Sequence, residues 1–210
     1  PSFVTKAIAN LVENGRKNSG ESIKYSDIAI LFRHNDTVKK YKAALDAAKI
    51  PCEAVGNKDF FLNPDVLLML SLLNTIDNPR RDIYLAGLLC SPLFSFTADE
   101  LYKIKSHYND GCLYASLLKY SENEPNEKTS YFLSKLERYR ALSEGVGVDT
   151  LISKLYSETG ILYLAAKNGS KNNLMLLYNY AKSYEKNGYK GLYSFISYVN
   201  NIIENKERFE

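Results

Sequence analysis

NPDVLLMLSLLNTID, residues 63–77, decides the fold class. Asn63 can accept hydrogen bonds from the first free backbone N–H groups of a helix, and Pro64 suits the first turn, where no N–H is needed. Behind this start, Val66, Leu67, Leu68, Met69, Leu70, Leu72, Leu73 and Ile76 surround the helix with apolar side chains nearly all round. Such a helix belongs at the centre of a bundle. Asp77-Asn78-Pro79 ends it.

Downstream, the spacing predicts more helices. One runs through Ile83, Leu85, Leu88 and Leu89 and stops at Ser91-Pro92. Thr97 and Glu100 form a capping box for a helix carrying Leu101, Ile104 and Tyr108. The polar stretch SENEPNEKTS, residues 121–130, reads as a linker. Helices follow over residues 132–142, 151–158, 173–186 and 192–204.

Upstream the pattern changes. Val4, Ile8, Leu11 and Val12 share one helical face. After the loop GRKNSGES, residues 28–32 form an apolar run that reads as a strand and delivers Arg33, His34, Asn35 and Asp36. Asn35 or Asp36 can cap the next helix, whose inner face is Val38, Tyr41, Leu45 and Ala48. Ile50-Pro51 stops it, and CEAV, residues 52–55, reads as a second strand. This β-α-β order predicts two parallel strands in one sheet. Two strands are too few for a stable parallel sheet, which needs both faces covered. The sheet is therefore expected to be incomplete. The expectation is a mostly α chain: a small N-terminal β-α-β portion over residues 1–62 and a helical bundle over 63–210.

With 210 residues, 45% hydrophobic and 24% charged, the chain has the composition of a globular protein, not a disordered one. A net charge of +3 permits nucleic acid as a partner without requiring it. The three cysteines, Cys52, Cys90 and Cys112, include no CxxC pair and read as reduced thiols of a cytoplasmic protein. The two histidines, His34 and His107, are too few for a metal cluster. The longest apolar run, 66–73, falls far short of the roughly 20 residues of a membrane span, so no membrane partner is expected. Both ends read as cut from a longer chain.

GRKNSGES has the outline of a phosphate loop, but Glu21 stands where the phosphate-binding lysine belongs, and a helix rather than a strand precedes it. It reads as a surface turn. No catalytic constellation is visible; Asp99 and Glu100 are acids at a helix N-terminus, as the dipole favours. Tyr178, Tyr180, Tyr184 and Tyr189 interleave with Lys182, Lys186 and Lys190. That combination suits stacking on nucleic acid, and equally suits tyrosines packing a bundle whose lysines face water.

Two stretches carry a family resemblance. IAILFRHND (28–36) and LLNTIDNPRRDIYLAGLLCSPLFSFTADEL (72–101) resemble the second motor domain of superfamily 1, UvrD-like DNA helicases. More narrowly, they resemble the A-type component of the AddAB (RexAB) helicase–nucleases. LISKLYSETG and the LLYNYAKSYE…GLYSFISYV pair match in the same order. The resemblance implies that residues 1–62 are part of a RecA-like motor domain and 63–210 most of its helical accessory insertion, called 2B. It implies a parent that is an ATP-dependent DNA helicase and exonuclease in recombinational repair. That parent uses ATP and Mg, and its partners are DNA and the B-type helicase–nuclease component of the same complex. The fragment itself would have no cofactor, no metal and no catalytic residue. Arg33 and Asn35 correspond to an Arg-x-Asn pair that contacts single-stranded DNA. Ser91, Ser95 and Thr97, in an SPxF-GxT-like turn, would touch duplex DNA together with Arg80 and Arg81. Cys90 and Ser95 depart from the arginine and glycine frequent at those positions. The alternative is a helical scaffold that mainly docks the partner subunit or neighbouring motor domains.

Overall fold

The computed structural model describes residues 1–33, 36–52, 59–107 and 111–207. Helices α1 (Ser2–Asn14) and α2 (Asp36–Ala47) lie in one compact unit, residues 1–57. The second unit, residues 58–210, carries ten helices among the described residues: α3 (Asp59–Leu62), α4 (Pro64–Asp77), α5 (Asp82–Leu89), α6 (Ala98–His107), α7 (Leu113–Asn123), α8 (Glu127–Gly145), α9 (Val148–Thr159), α10 (Ile161–Lys167), α11 (Lys171–Lys186) and α12 (Leu192–Glu207). The fold is mostly helical.

In the second unit α4 is the centre, as its composition predicts. Asn63 accepts hydrogen bonds from the N–H groups of Asp65 (3.1 Å) and Val66 (3.3 Å), and Pro64 occupies the first turn. Val66, Met69, Leu72, Leu73 and Ile76 are buried, and α4 packs against α3, α5, α8, α10, α11 and α12. The helix is not apolar all round in use, because Leu67 stays 44% exposed. Its buried polar groups are satisfied. Asn74 Nδ2 donates to the Leu70 carbonyl (2.9 Å) and Thr75 Oγ1 to that of Ser71 (2.8 Å). The buried Asp65 carboxylate accepts from Asn168 Nδ2 and the Ser170 hydroxyl, tying the start of α4 to the turn between α10 and α11.

Three helices, α3, α7 and α10, are absent from the sequence expectation, α3 having only four residues. Helix α7 continues through Ser121–Asn123, the first residues of the expected linker. Its N-terminus is held by Asp82, whose Oδ1 accepts from Leu113 N at 2.8 Å. Asp82 lies 31 residues away, so no local pattern announces that cap. Helix α10 has seven residues, too short for a helical period to show.

The N-terminal unit does not show the expected β-α-β portion among the described residues. Its core is Ile8, Leu45 and Ile50, with Val4, Ile28, Ile30 and Cys52 against it. Residues 28–32 alternate in burial as a strand would: Ile28, Ile30 and Phe32 are half-buried, while Ala29 and Leu31 are exposed. Yet no strand forms among the described residues; the β-type pairing there is one isolated antiparallel bridge, Arg16 to Ser22. A strand exists through its ladder, and residues 28–32 have no neighbour to pair with among the described residues. The second expected strand, 52–55, lies mostly outside the described residues. Ala48, just past the end of α2, is exposed rather than on the inner face. The Arg16–Ser22 bridge makes GRKNSGES a turn closed on itself, with Lys17 N donating to Glu21 O at 2.8 Å.

Candidate nucleic-acid interface

The residues expected to meet single-stranded DNA follow the extended segment 28–32. Arg33 is exposed. Asn35 lies outside the described residues.

The residues expected to meet duplex DNA fall in two places. Arg80 and Arg81 precede α5, whereas Ser91, Ser95 and Thr97 follow it. Eight helical residues separate the groups, about 12 Å at the usual rise.

Arg80 is exposed. Arg81, next to it, is engaged: Nη1 donates to Asn74 Oδ1 at 2.8 Å, and Nη2 lies 3.4 Å from Asp77 Oδ2. Asn74 is 2% exposed. Arg81 thus braces the last turn of α4 from the loop that follows it.

The turn after α5 is built largely from its own hydrogen bonds. Ser91 is buried; its hydroxyl donates to the Leu88 carbonyl (2.6 Å) and accepts from Leu93 N (3.3 Å). Ser95 is exposed at φ 56°, the left-handed region that glycine favours. A glycine there would take this backbone without strain. Phe96 N returns to the Leu89 carbonyl at 2.9 Å, closing the corner, and the Phe96 ring is buried. Thr97 and Glu100 form the expected capping box. Thr97 N donates to Glu100 Oε2 (2.6 Å), and Glu100 N donates to Thr97 Oγ1 (3.1 Å).

Lys128, at the start of α8, adds a part that no local spacing announces. Its Nζ lies 2.7 Å from Glu100 Oε2 and 4.6 Å from the centre of the Phe96 ring. The Lys128 ammonium, then the Thr97 N–H, hold the Glu100 carboxyl below its usual range. The first turn of α6 therefore already carries a carboxylate, and an arriving phosphate would meet that charge.

The tyrosine–lysine segment splits. Tyr184 is buried, and Tyr180 lies beside Phe60 and Phe61 with ring centres 5.8 and 6.2 Å away. These rings pack the bundle. Lys182, Lys186, Tyr189 and Lys190 are exposed.

Comparison with known proteins agrees with the two stretches that carry the resemblance. The chain is 35% identical to the A component of the ATP-dependent helicase/nuclease of Clostridium novyi (strain NT), over 95% of this chain and 18% of that protein. It is 34% identical to the protein of the same name from Staphylococcus saprophyticus, over 88% of this chain and 16% of that protein. The protein of that name from Acetivibrio thermocellus is also 34% identical, over 90% of this chain and 16% of its own length. The chain thus spans less than a fifth of these relatives. A model of the UvrD-like helicase C-terminal domain matches residues 1–209, and the chain belongs to that family.

Proposed function

We propose that this chain is the part of an A-type ATP-dependent helicase/nuclease that joins the second motor domain to its helical accessory insertion. Residues 1–62 supply the edge of a RecA-like sheet, in which 28–32 and 52–55 become parallel strands once neighbouring strands are present. Residues 63–210 are the accessory insertion. The observation that carries the reading is the exposed Arg33, directly after the alternating segment 28–32, in a chain whose family match runs from residue 1 to 209. A guanidinium there suits a phosphate backbone, and the Asn35 amide a sugar or base. Of the duplex-contact residues, Arg80, Ser95 and Thr97 are exposed, while Arg81 and Ser91 shape the turns that present them.

The parent cytoplasmic enzyme uses ATP and Mg, works on DNA with the B-type component of its complex, and acts in double-strand break repair. The piece itself contributes DNA engagement and domain contacts, without ATP hydrolysis or nuclease chemistry. Among the described residues no helix is long and apolar enough to cross a membrane. A second reading, a scaffold that docks the rest of the assembly, is favoured by Leu31, 94% exposed on an unpaired segment, and Ile83, 80% exposed.

The test is Arg33→Ala in the full-length parent protein, titrated with oligonucleotides at several salt concentrations. Backbone contact predicts weaker single-strand binding on all sequences alike, with the salt dependence reduced by roughly one charge. Affinity and salt slope equal to wild type would make Arg33 a docking or structural residue and favour the scaffold.

A further inference from the structure

The corner where α11 meets α12 carries a surface that the contacts above do not use. Residues 174–203 contain three lysines, Lys182, Lys186 and Lys190, and one acid, Glu185. Glu185 is turned away from them. Its Oε1 accepts from Val148 N at 2.7 Å, at the N-terminus of α9, where a negative charge is favoured. Gly147 makes room for it: a Cβ there would stand 3.0 Å from the carboxylate. The three lysines are exposed, so the corner is cationic.

Between the lysines stands an aromatic ladder. Tyr184 is buried against Phe195 and Tyr198, ring centres 5.4 Å away in each case. Tyr189 lies on Tyr184 with centres 5.2 Å apart and planes inclined by 24°. One face of Tyr189 is thereby covered, yet the residue is 60% exposed, so the ladder ends in an aromatic face open to water. Gly188 (φ 86°) and Gly191 (φ 92°) take left-handed backbone on either side of Tyr189-Lys190, which lets the pair project from the corner. Tyr193, 62% exposed, follows at the start of α12.

We propose that this corner is a second binding surface for single-stranded DNA, in which an unpaired base stacks on Tyr189 and Lys186 and Lys190 hold the phosphates on either side. The open ring face selects unpaired bases, because in a duplex each base is already stacked on its neighbours. The ring needs no reordering to receive a base, since Tyr184 already holds it flat. An acidic peptide would use the lysines but gain little from the Tyr189 face. The proposal rests on the reading that this chain engages DNA, and adds a contact independent of Arg33.

The experiment uses the whole 210-residue chain. It is titrated, with fluorescence anisotropy as readout, against a labelled oligothymidine, the same strand with abasic sites, and a duplex. Tyr189→Ala should weaken the oligothymidine about tenfold and leave the abasic strand and the duplex unchanged, while Tyr189→Phe binds as wild type. Lys186→Ala and Lys190→Ala should each lower the salt slope by about 0.7. Circular dichroism checks folding; should Tyr189→Ala unfold, Lys190→Glu, at an exposed turn position, must still weaken single strands more than duplex. Equal binding by wild type and Tyr189→Ala overturns the proposal, as does an equal loss on the abasic strand or the duplex. If Arg33→Ala loses affinity while Tyr189→Ala does not, the DNA reading stands and this surface falls. If the wild-type chain binds none of the three probes, this surface falls, while the DNA reading is decided by Arg33→Ala in the full-length parent.

Discussion

Arg80 and Arg81 are neighbours in sequence with opposite expected consequences. Arg81→Ala removes a charged donor 2.8 Å from the Oδ1 of Asn74, a side chain only 2% exposed. A hydrogen bond to a charged group contributes about 1.5–3 kcal/mol, and an acceptor left buried without a partner costs about 1–3 kcal/mol. These are two views of one loss and do not add. The Asp77 contact, at 3.4 Å and with the arginine side chain 32% exposed, contributes a few tenths to about 1 kcal/mol. The sum is about 2–4 kcal/mol. With a urea slope of roughly 2 kcal/mol per M, the unfolding midpoint should fall by about 1–2 M, followed by far-UV circular dichroism. Arg80→Ala should stay within about 0.5 kcal/mol of wild type, as exposed substitutions do. Arg81→Lys should recover only part of the loss, because one ammonium cannot span both acceptors as the fork does. The DNA readout separates the pair again: Arg80→Ala should weaken duplex binding at unchanged stability. Loss of less than about 0.5 kcal/mol in Arg81→Ala, or equal losses in both variants, would refute the brace.

Leu73→Ala, at the fully buried centre of α4, should cost about 2–5 kcal/mol, against less than 1 kcal/mol for Leu67→Ala on the exposed side of the same helix; equal urea midpoints would refute the placement of the core. The Glu100 carboxyl titrates below its ordinary value near 4.5 in the folded chain, so its contribution to stability is complete above about that pH and is lost as pH falls through the lower folded value. Glu100→Gln should therefore be less stable than wild type at neutral pH, and the difference should close on acidification below about 4.5; a gap that persists to pH 2 would show that the Lys128 pair does not set it.

What the sequence by itself determined is local. The start of α4 at Asn63-Pro64 and the capping box of Thr97 and Glu100 are contacts across three residues or fewer, so spacing alone shows them. The apolar run of α4 predicted the centre of the bundle, since a helix with so little polar surface must be covered. The two stretches at 28–36 and 72–101 were enough for the family. Tertiary structure decided everything that depends on residues far apart. Lys128 reaches Glu100 across 28 residues, Asp82 reaches Leu113 across 31, and Glu185 reaches Val148 across 37. No period in the chain encodes such pairs, because they follow from how helices pack. Packing also separated Arg81 from Arg80, burying the partner of one and leaving the other in water, and it sorted Tyr184 into the core and Tyr189 onto the surface. The segment 28–32 marks the boundary between the two. Its alternation is written in the sequence and kept in its burial, but a strand is completed only by a neighbour's hydrogen bonds, and none is formed among the described residues.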